Sequence, residues 1–152
     1  MKKILSVLLI IFVVSIWGSC KKNTNTTHLN ITLYNKQLDT IKKYVTGNWK
    51  LVYTDGGFDA SKKYYDSIYF QLSATRIKQT FPASRGGVLI DTTINWIWEL
   101  GTYTSGSYTY VLQCFDDRSY EYDYVPMQIL NDTLILHENL VDGFYYHLIK
   151  NN

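Results

Sequence analysis

Apolar and polar residues recur with two different periods along this chain, and the change falls near Gly47. Before it, the segment LYNKQLDTIKKYV carries Leu38, Ile41 and Val45 at i, i+3 and i+7, while Lys36, Lys42 and Lys43 fall off that stripe. This spacing predicts a short helix over 33–46, stopped at Gly47. From Trp49 onward the period is two. Trp49, Leu51 and Tyr53 share one face; Ile68, Phe70 and Leu72 alternate with Ser67, Tyr69 and Gln71; Ile77, Gln79 and Phe81 alternate with Arg76, Lys78 and Thr80. Ile94, Trp96, Trp98 and Leu100 share a face, as do Tyr108, Tyr110, Leu112 and Cys114, and Tyr120, Tyr122 and Tyr124 oppose Glu121 and Asp123. TLILHEN and FYYHLIK complete the series. Turn signals separate the runs: DGG at 55–57, PASRGG at 82–87, DDRS at 116–119, Asn131-Asp132 and Asp142-Gly143.

The pattern amounts to about eight strands, joined mostly by turns too short for a crossover helix, so neighbours are expected to be antiparallel. Eight strands that each have one apolar face predict an all-β domain over 47–152, an eight-stranded antiparallel up-and-down barrel preceded by the short helix. A seven-stranded sandwich fits the same pattern and is the alternative.

The N-terminus reads differently. Lys2 and Lys3 precede a 14-residue stretch, Ile4 to Trp17, whose apolar run only Ser6 and Ser15 interrupt. As a helix it would span about 21 Å, short of the ~30 Å bilayer core, which favours a removable export signal over a permanent span. Gly18, Ser19 and Cys20 follow, and WGSC resembles the lipobox of bacterial lipoproteins, with Trp17 where Leu is usual. The resemblance implies cleavage after residue 19 and lipidation of Cys20; an ordinary secretory signal is the alternative. It also implies an outer-membrane address, since Lys21 is not the aspartate associated with inner-membrane retention. The face would be periplasmic or the cell surface. Residues 20–32, polar and rich in Asn and Thr, are expected to be a flexible tether.

Gly47-Asn48-Trp49, placed after a short helix and opening the first strand, resembles the G-x-W motif of lipocalins, and NDTLILHENLVDGFYYHLIK is similar to the last hairpin of small lipocalin-like domains. The resemblance covers Ile41 to Lys150. In lipocalins an arginine near the C-terminus packs over the tryptophan; here the residue in that region is Lys150. The family implies a cavity for a small hydrophobic ligand, with Trp49, Trp96, Trp98, Tyr108 and Tyr110 as candidate binding residues and Trp49 closing the barrel base.

Composition narrows the partners. The chain has 15 basic and 13 acidic residues, and loss of Lys2 and Lys3 with the leader leaves 13 of each. Without a clustered basic excess, nucleic acid is not an expected partner. Aromatic residues are abundant, with 14 Tyr, 6 Phe and 4 Trp. Rigid amphipathic rings serve a ligand pocket, a sugar-stacking platform or a protein contact, and they are also ordinary in strands. The expected partners are therefore a small hydrophobic molecule or, alternatively, an envelope protein docking on Tyr-rich strands, with the membrane engaged through the N-terminal lipid.

Little points to catalysis, and no cofactor is expected. None of the common nucleophile-elbow, zinc-protease, Walker or dinucleotide motifs occurs. Cys114 lies among aromatic residues with no base beside it, which reads as a small buried hydrophobe. His137 and His147 are expected on one face of the last hairpin, but no third and fourth ligand accompanies them, so no metal site is expected. Four segments, beginning at Asp39, Asp66, Asp91 and Asp132, follow the order Asp, hydroxyl residue, then an apolar residue or Thr. They resemble an O-glycosylation acceptor motif of some Gram-negative envelopes, and turn chemistry is the favoured alternative at any one of them.

Overall fold

The computed structural model describes residues 27–100, 107–115, 121–140 and 142–151. The segment 1–19 expected to be a leader, Cys20, the first part of the expected tether up to residue 26, the expected turn at 116–119 and Tyr120 lie outside the described residues, as do the side chains of Glu121 and Tyr122. In chain order the elements are β1 (Ile31–Thr32), α1 (Leu38–Val45), β2 (Gly47–Gly56), β3 (Lys63–Tyr64), β4 (Tyr69–Leu72), β5 (Arg76–Thr80), a 3-10 turn (Ala83–Arg85), β6 (Leu89–Leu100), β7 (Tyr108–Phe115), β8 (Glu121–Leu130), β9 (Thr133–Glu138) and β10 (Phe144–Lys150).

From β4 to β10 each strand pairs antiparallel with the next, and β2 pairs with β4 on one edge and β10 on the other. β3 lies opposite Tyr53–Thr54 and β4 opposite Gly47–Lys50, so the two occupy one place in the wall. The result is a closed eight-stranded antiparallel barrel of up-and-down order, and the return of β10 to β2 excludes the sandwich. Closure leaves the strands no long free edges, which is how an all-antiparallel sheet of this size satisfies its backbone.

The alternation predicts the wall well where neighbours stand on both sides. Along β4 and β5, Phe70, Leu72, Ile77 and Gln79 are buried and Tyr69, Gln71, Arg76, Lys78 and Thr80 are exposed. Between β8 and β9 the two-residue turn places Asn131 at φ 49° and Asp132 at φ 63°, left-handed conformations that Asn and Asp tolerate and a tight hairpin requires.

Two boundaries differ from the sequence pattern. The helix covers Leu38–Val45, five residues less at its start than expected. Leu33 and Tyr34 are held outside it because both backbone N–H groups donate to the Met127 carbonyl, at 2.9 and 3.0 Å. The expected tether is also shorter: Ile31 and Thr32 pair with Ile129 and Gln128 of β8. Further back, Leu29 N donates to Asp132 Oδ1 at 2.8 Å and His28 Nδ1 lies 2.7 Å from Asp132 Oδ2. Tertiary partners in the wall outweigh the weak local helix preference of these few residues.

Helix α1 closes one end by laying Ile41 and Val45 into the barrel core. Beside it the Trp49 indole N–H donates to the Val45 carbonyl at 2.8 Å. The Lys150 ammonium lies 4.2 Å from the Trp49 ring centroid and donates to the Thr46 carbonyl at 3.2 Å. Gly47 makes this closure possible. Its φ of +144° is one that L side chains rarely adopt, and a Cβ there would stand 2.6 Å from Lys150 Nζ. Lys150 thus covers the tryptophan with a cation from the C-terminal strand.

Candidate functional site

The barrel interior is filled by its own side chains. Phe70, Tyr124 and Tyr146 meet edge to face at centroid separations of 5.3–6.4 Å across the lumen. Gln79 Nε2 donates to Tyr124 Oη at 3.3 Å, so the one amide in this layer is paired. Burial raises the Tyr124 pKa well above its ordinary value, and the ring stays neutral. What remains is a hollow of about 140 Å³ at the mouth opposite the helix, bordered by Leu51, Ile68, Phe81, Ile90 and Arg85 besides the aromatic cluster. That holds a few waters, and is well below the ~300–1,000 Å³ of small-molecule sites.

The five aromatic residues singled out from the sequence do not line a common cavity. Trp49 is buried in the closed end, 1 % exposed. Trp96 is half-buried, its N–H donating to the Ala74 carbonyl at 3.1 Å and its ring 5.8 Å from Lys42 Nζ. Trp98, Tyr108 and Tyr110 do come together, with Trp98 centroids 6.1 Å from Tyr108 and 4.3 Å from Tyr110. They lie on a hairpin, β6–β7, that outruns its neighbours. Pairing of β5 to β6 ends at Arg76–Thr93, and pairing of β7 to β8 ends at Leu112–Tyr124. Beyond that point the hairpin's outer face folds against the barrel wall. Ile97 and Val111 join Tyr34, Val125 and Met127 in a second apolar cluster, and Asn139 Nδ2 donates to Glu99 Oε2 at 3.4 Å. The opposite face continues the register of the barrel interior: Trp96 and Tyr110 still pack against the core, and the residues past them meet no interior. Trp98 is therefore 46 % exposed, and Leu100 and Tyr108 52 % each.

A larger hollow among the described residues is on the outside. A groove of about 680 Å³ runs along the outer faces of β8, β9, β10 and β2, between the N-terminal strand (Thr32, Tyr34) and the β2–β3 loop (Ala60, Lys62). Ile135, Met127 and Tyr145 supply apolar lining, and Asp55, Gln128 and His147 supply polar groups. A second hollow of about 260 Å³ adjoins it and shares Ile135 and His147. The polar groups are held in place: His147 Nε2 lies 3.0 Å from Asp55 Oδ1, and its ring stacks on Tyr53 at 4.0 Å with 16° between planes. Tyr53 also carries the Lys62 ammonium at 4.7 Å from its centroid. Apolar lining with a few fixed polar groups is the composition that binds and orients an amphipathic small molecule. One sequence signal for this groove exists. Leu134, Ile135 and Leu136 are consecutive apolar residues in a strand, so both faces of β9 are covered.

His137 and His147 share the outer face, but the register sets His137 opposite Tyr145 and His147 opposite Ile135. They are therefore offset by two residues rather than directly paired. Among the described residues no group of three or more His, Cys, Asp or Glu is arranged to hold a metal ion. Burial lowers the His137 pKa from its ordinary 6.5. Cys114 is buried, with burial first and then the Asp123 charge pushing its thiol up to about 12, which keeps it protonated and un-nucleophilic at neutral pH. Of the four Asp-hydroxyl segments, Ser67 is exposed between β3 and β4, whereas Thr92 is buried in β6.

The class these features define is a closed eight-stranded antiparallel barrel with a filled lumen, a helix across one end and a groove on its outer wall. Neither protein-family models, characterised proteins nor solved structures yield a significant match to the chain.

Proposed function

We propose that this is an envelope lipoprotein, anchored through Cys20 to the outer membrane, whose lipocalin-like barrel binds a small amphipathic molecule without catalysis. The binding site in this reading is the outer-wall groove. One observation carries it: the lumen retains about 140 Å³, while the groove offers about 680 Å³ with aromatic, aliphatic and polar groups converging. Burying roughly 300 Å² of ligand surface there is worth about 7 kcal/mol before ordering costs, and micromolar affinity needs about 8 kcal/mol in all, so the polar groups must contribute the balance. His147, fixed by Asp55 and Tyr53, is the group placed to do so. The anchor rests on the leader and the WGSC segment.

Calorimetric titration with long-chain fatty acids, retinoids and porphyrins tests the site. At least one is expected to bind at micromolar concentration, and Tyr145→Ala or His147→Ala to weaken it tenfold or more. Binding that survives both substitutions, or no binding while a stoichiometric envelope protein co-purifies, would replace this reading with the interaction module. Detergent partitioning of wild type against Cys20→Ala tests the anchor; equal partitioning refutes it.

A further inference from the structure

The β6–β7 hairpin leaves the barrel with one edge covered and one open. Ile94 N donates to the Thr75 carbonyl at 2.8 Å, the last backbone bond that β6 makes on the β5 side. Backbone groups alternate sides along a strand, and the register of β6 with β7 is unbroken from Thr93 to Leu100. The N–H and C=O groups of Trp96, Trp98 and Leu100 therefore point the same way as that of Ile94. Among the described residues they have no backbone partner there. The opposite edge, on β7, is covered. Asn35 N donates to Thr109 Oγ1 at 3.4 Å, Tyr34 Oη donates to the Ser107 carbonyl at 3.3 Å, and Thr109 and Val111 are buried. An unpaired edge is a template for another strand, and proteins ordinarily blunt it with Lys, Pro or an inward-facing charge. From Ile94 to Leu100 there is neither Lys nor Pro, and the one charge, Glu99, is held on the far face by Asn139.

We propose that a second copy of the chain completes this edge, β6 pairing antiparallel with the partner's β6 across a two-fold axis at Trp98. The interface uses neither the anchor nor the groove. In this register every open backbone group finds a partner, because Trp98 opposes the partner's Trp98 and Trp96 opposes the partner's Leu100. All the side chains that meet on that face are apolar. On the other face Glu99 meets the partner's Ile97 rather than a second Glu99, so no like charges stand opposite each other. The strand thus complements itself, as a two-fold contact requires. The exposed face beside the edge adds to the pairing. Trp98 and Tyr108 lie parallel within 9° at 6.1 Å and so are already ordered before a partner arrives. Trp98, Leu100 and Tyr108 are each about half exposed. At ~150–250 Å² for a large side chain they offer roughly 300 Å² per copy, against the ~800 Å² per partner of a standard interface. An area of this size selects a reversible dimer over an obligate one.

The experiment uses the full chain in mild detergent, with micelles in excess over protein, across about two decades of micromolar concentration. Sedimentation velocity should show one chain per particle at the low end and two at the high end, and Leu100→Lys should raise the midpoint at least tenfold. Leu100 is exposed, so the variant should melt as wild type does; Trp98→Lys, also exposed, repeats the test at the axis. Amide hydrogen exchange in wild type reads the pairing itself and needs no variant. At low concentration the amides of Asn95, Ile97 and Glu99, which face β7, should exchange slowly, and those of Trp96, Trp98 and Leu100 fast. At high concentration the second set should slow at least tenfold. A chain that stays single throughout overturns the interface, and so does a dimer that both lysine variants leave intact. A dimer weakened by both, without slowing of the Trp96, Trp98 and Leu100 amides, is a contact of faces and overturns the strand pairing. An envelope protein that protects those amides while the chain stays single overturns the second copy as the occupant.

Discussion

Removing Phe70 should turn the filled barrel into a ligand-binding one, at a calculable cost. Phe70 is 2 % exposed and touches Tyr124 and Tyr146 edge to face, at centroid distances of 6.4 and 6.3 Å. A buried phenyl side chain takes ~150–200 Å² out of water, worth about 4–5 kcal/mol at ~25 cal/mol per Å². Partial relaxation of its neighbours brings the expected cost of Phe70→Ala to about 3–5 kcal/mol. For a domain of this size that lowers Tm by roughly 10–20 °C. The void joins the 140 Å³ hollow that Phe70 already borders. An apolar void of ~150 Å³ is enough to take a benzene-sized molecule, so the enlarged space should do so as well. Thermal unfolding followed by near-ultraviolet circular dichroism, with and without benzene or indole, reads both effects. Phe70→Ala should melt lower and gain stability from the aromatic compound, and wild type should be indifferent to it. A wild type stabilised as much as the variant would show that the lumen is open, and the argument for an external site would fail.

Two further outcomes follow from the closed end and the outer wall. Lys150→Ala should cost about 0.5–1 kcal/mol through the lost cation–π contact, and Gly47→Ala more, from its positive φ. Because a Cβ at Gly47 displaces Lys150, chemical denaturation of the double variant should show a cost below the sum of the single ones; strict additivity would separate the two sites. Burial lowers the His137 pKa, so below its ordinary 6.5 the unfolded chain binds the proton that the folded one resists. Stability from this group is present above pH 6.5 and is lost as the pH falls toward the folded-state value. Wild type should therefore lose more stability than His137→Gln between pH 7.5 and 5; parallel curves would place His137 in solvent.

Much of this molecule is legible one strand at a time. The side-chain period of two assigns Phe70, Leu72 and Ile77 to the interior without knowledge of any partner, and Gly47-Asn48-Trp49 marks where the helix gives way to the first strand. Asn131-Asp132 is a turn because those two residues accept φ above zero. These are local properties, determined by backbone geometry and by which side chains water rejects.

The site was not legible in this way. Trp98 and Tyr108 have the alternation of interior residues, yet they are exposed, and of this group Tyr110 packs against the core. A strand's period says which residues share a face; it does not say where its neighbours leave it, and here β5 ends and β8 parts from β7 first. Thr109 and Val111 stand on the nominally wet face of β7 and are almost wholly buried, because the N-terminal segment around Tyr34 and the folded-back hairpin cover them. The groove gathers Thr32 and Tyr34 with Asp55, Lys62, Met127, Ile135 and His147, residues up to 115 positions apart. The sequence by itself determined the strands and which of their faces is apolar, because that needs only the period of two within each segment; the pairing of β10 with β2 decided that they close into a barrel and not a sandwich. Only the tertiary structure decided that the lumen is nearly full and that a larger hollow lies on the outer wall. Volume left over is a property of all side chains packed together, and no single segment carries it.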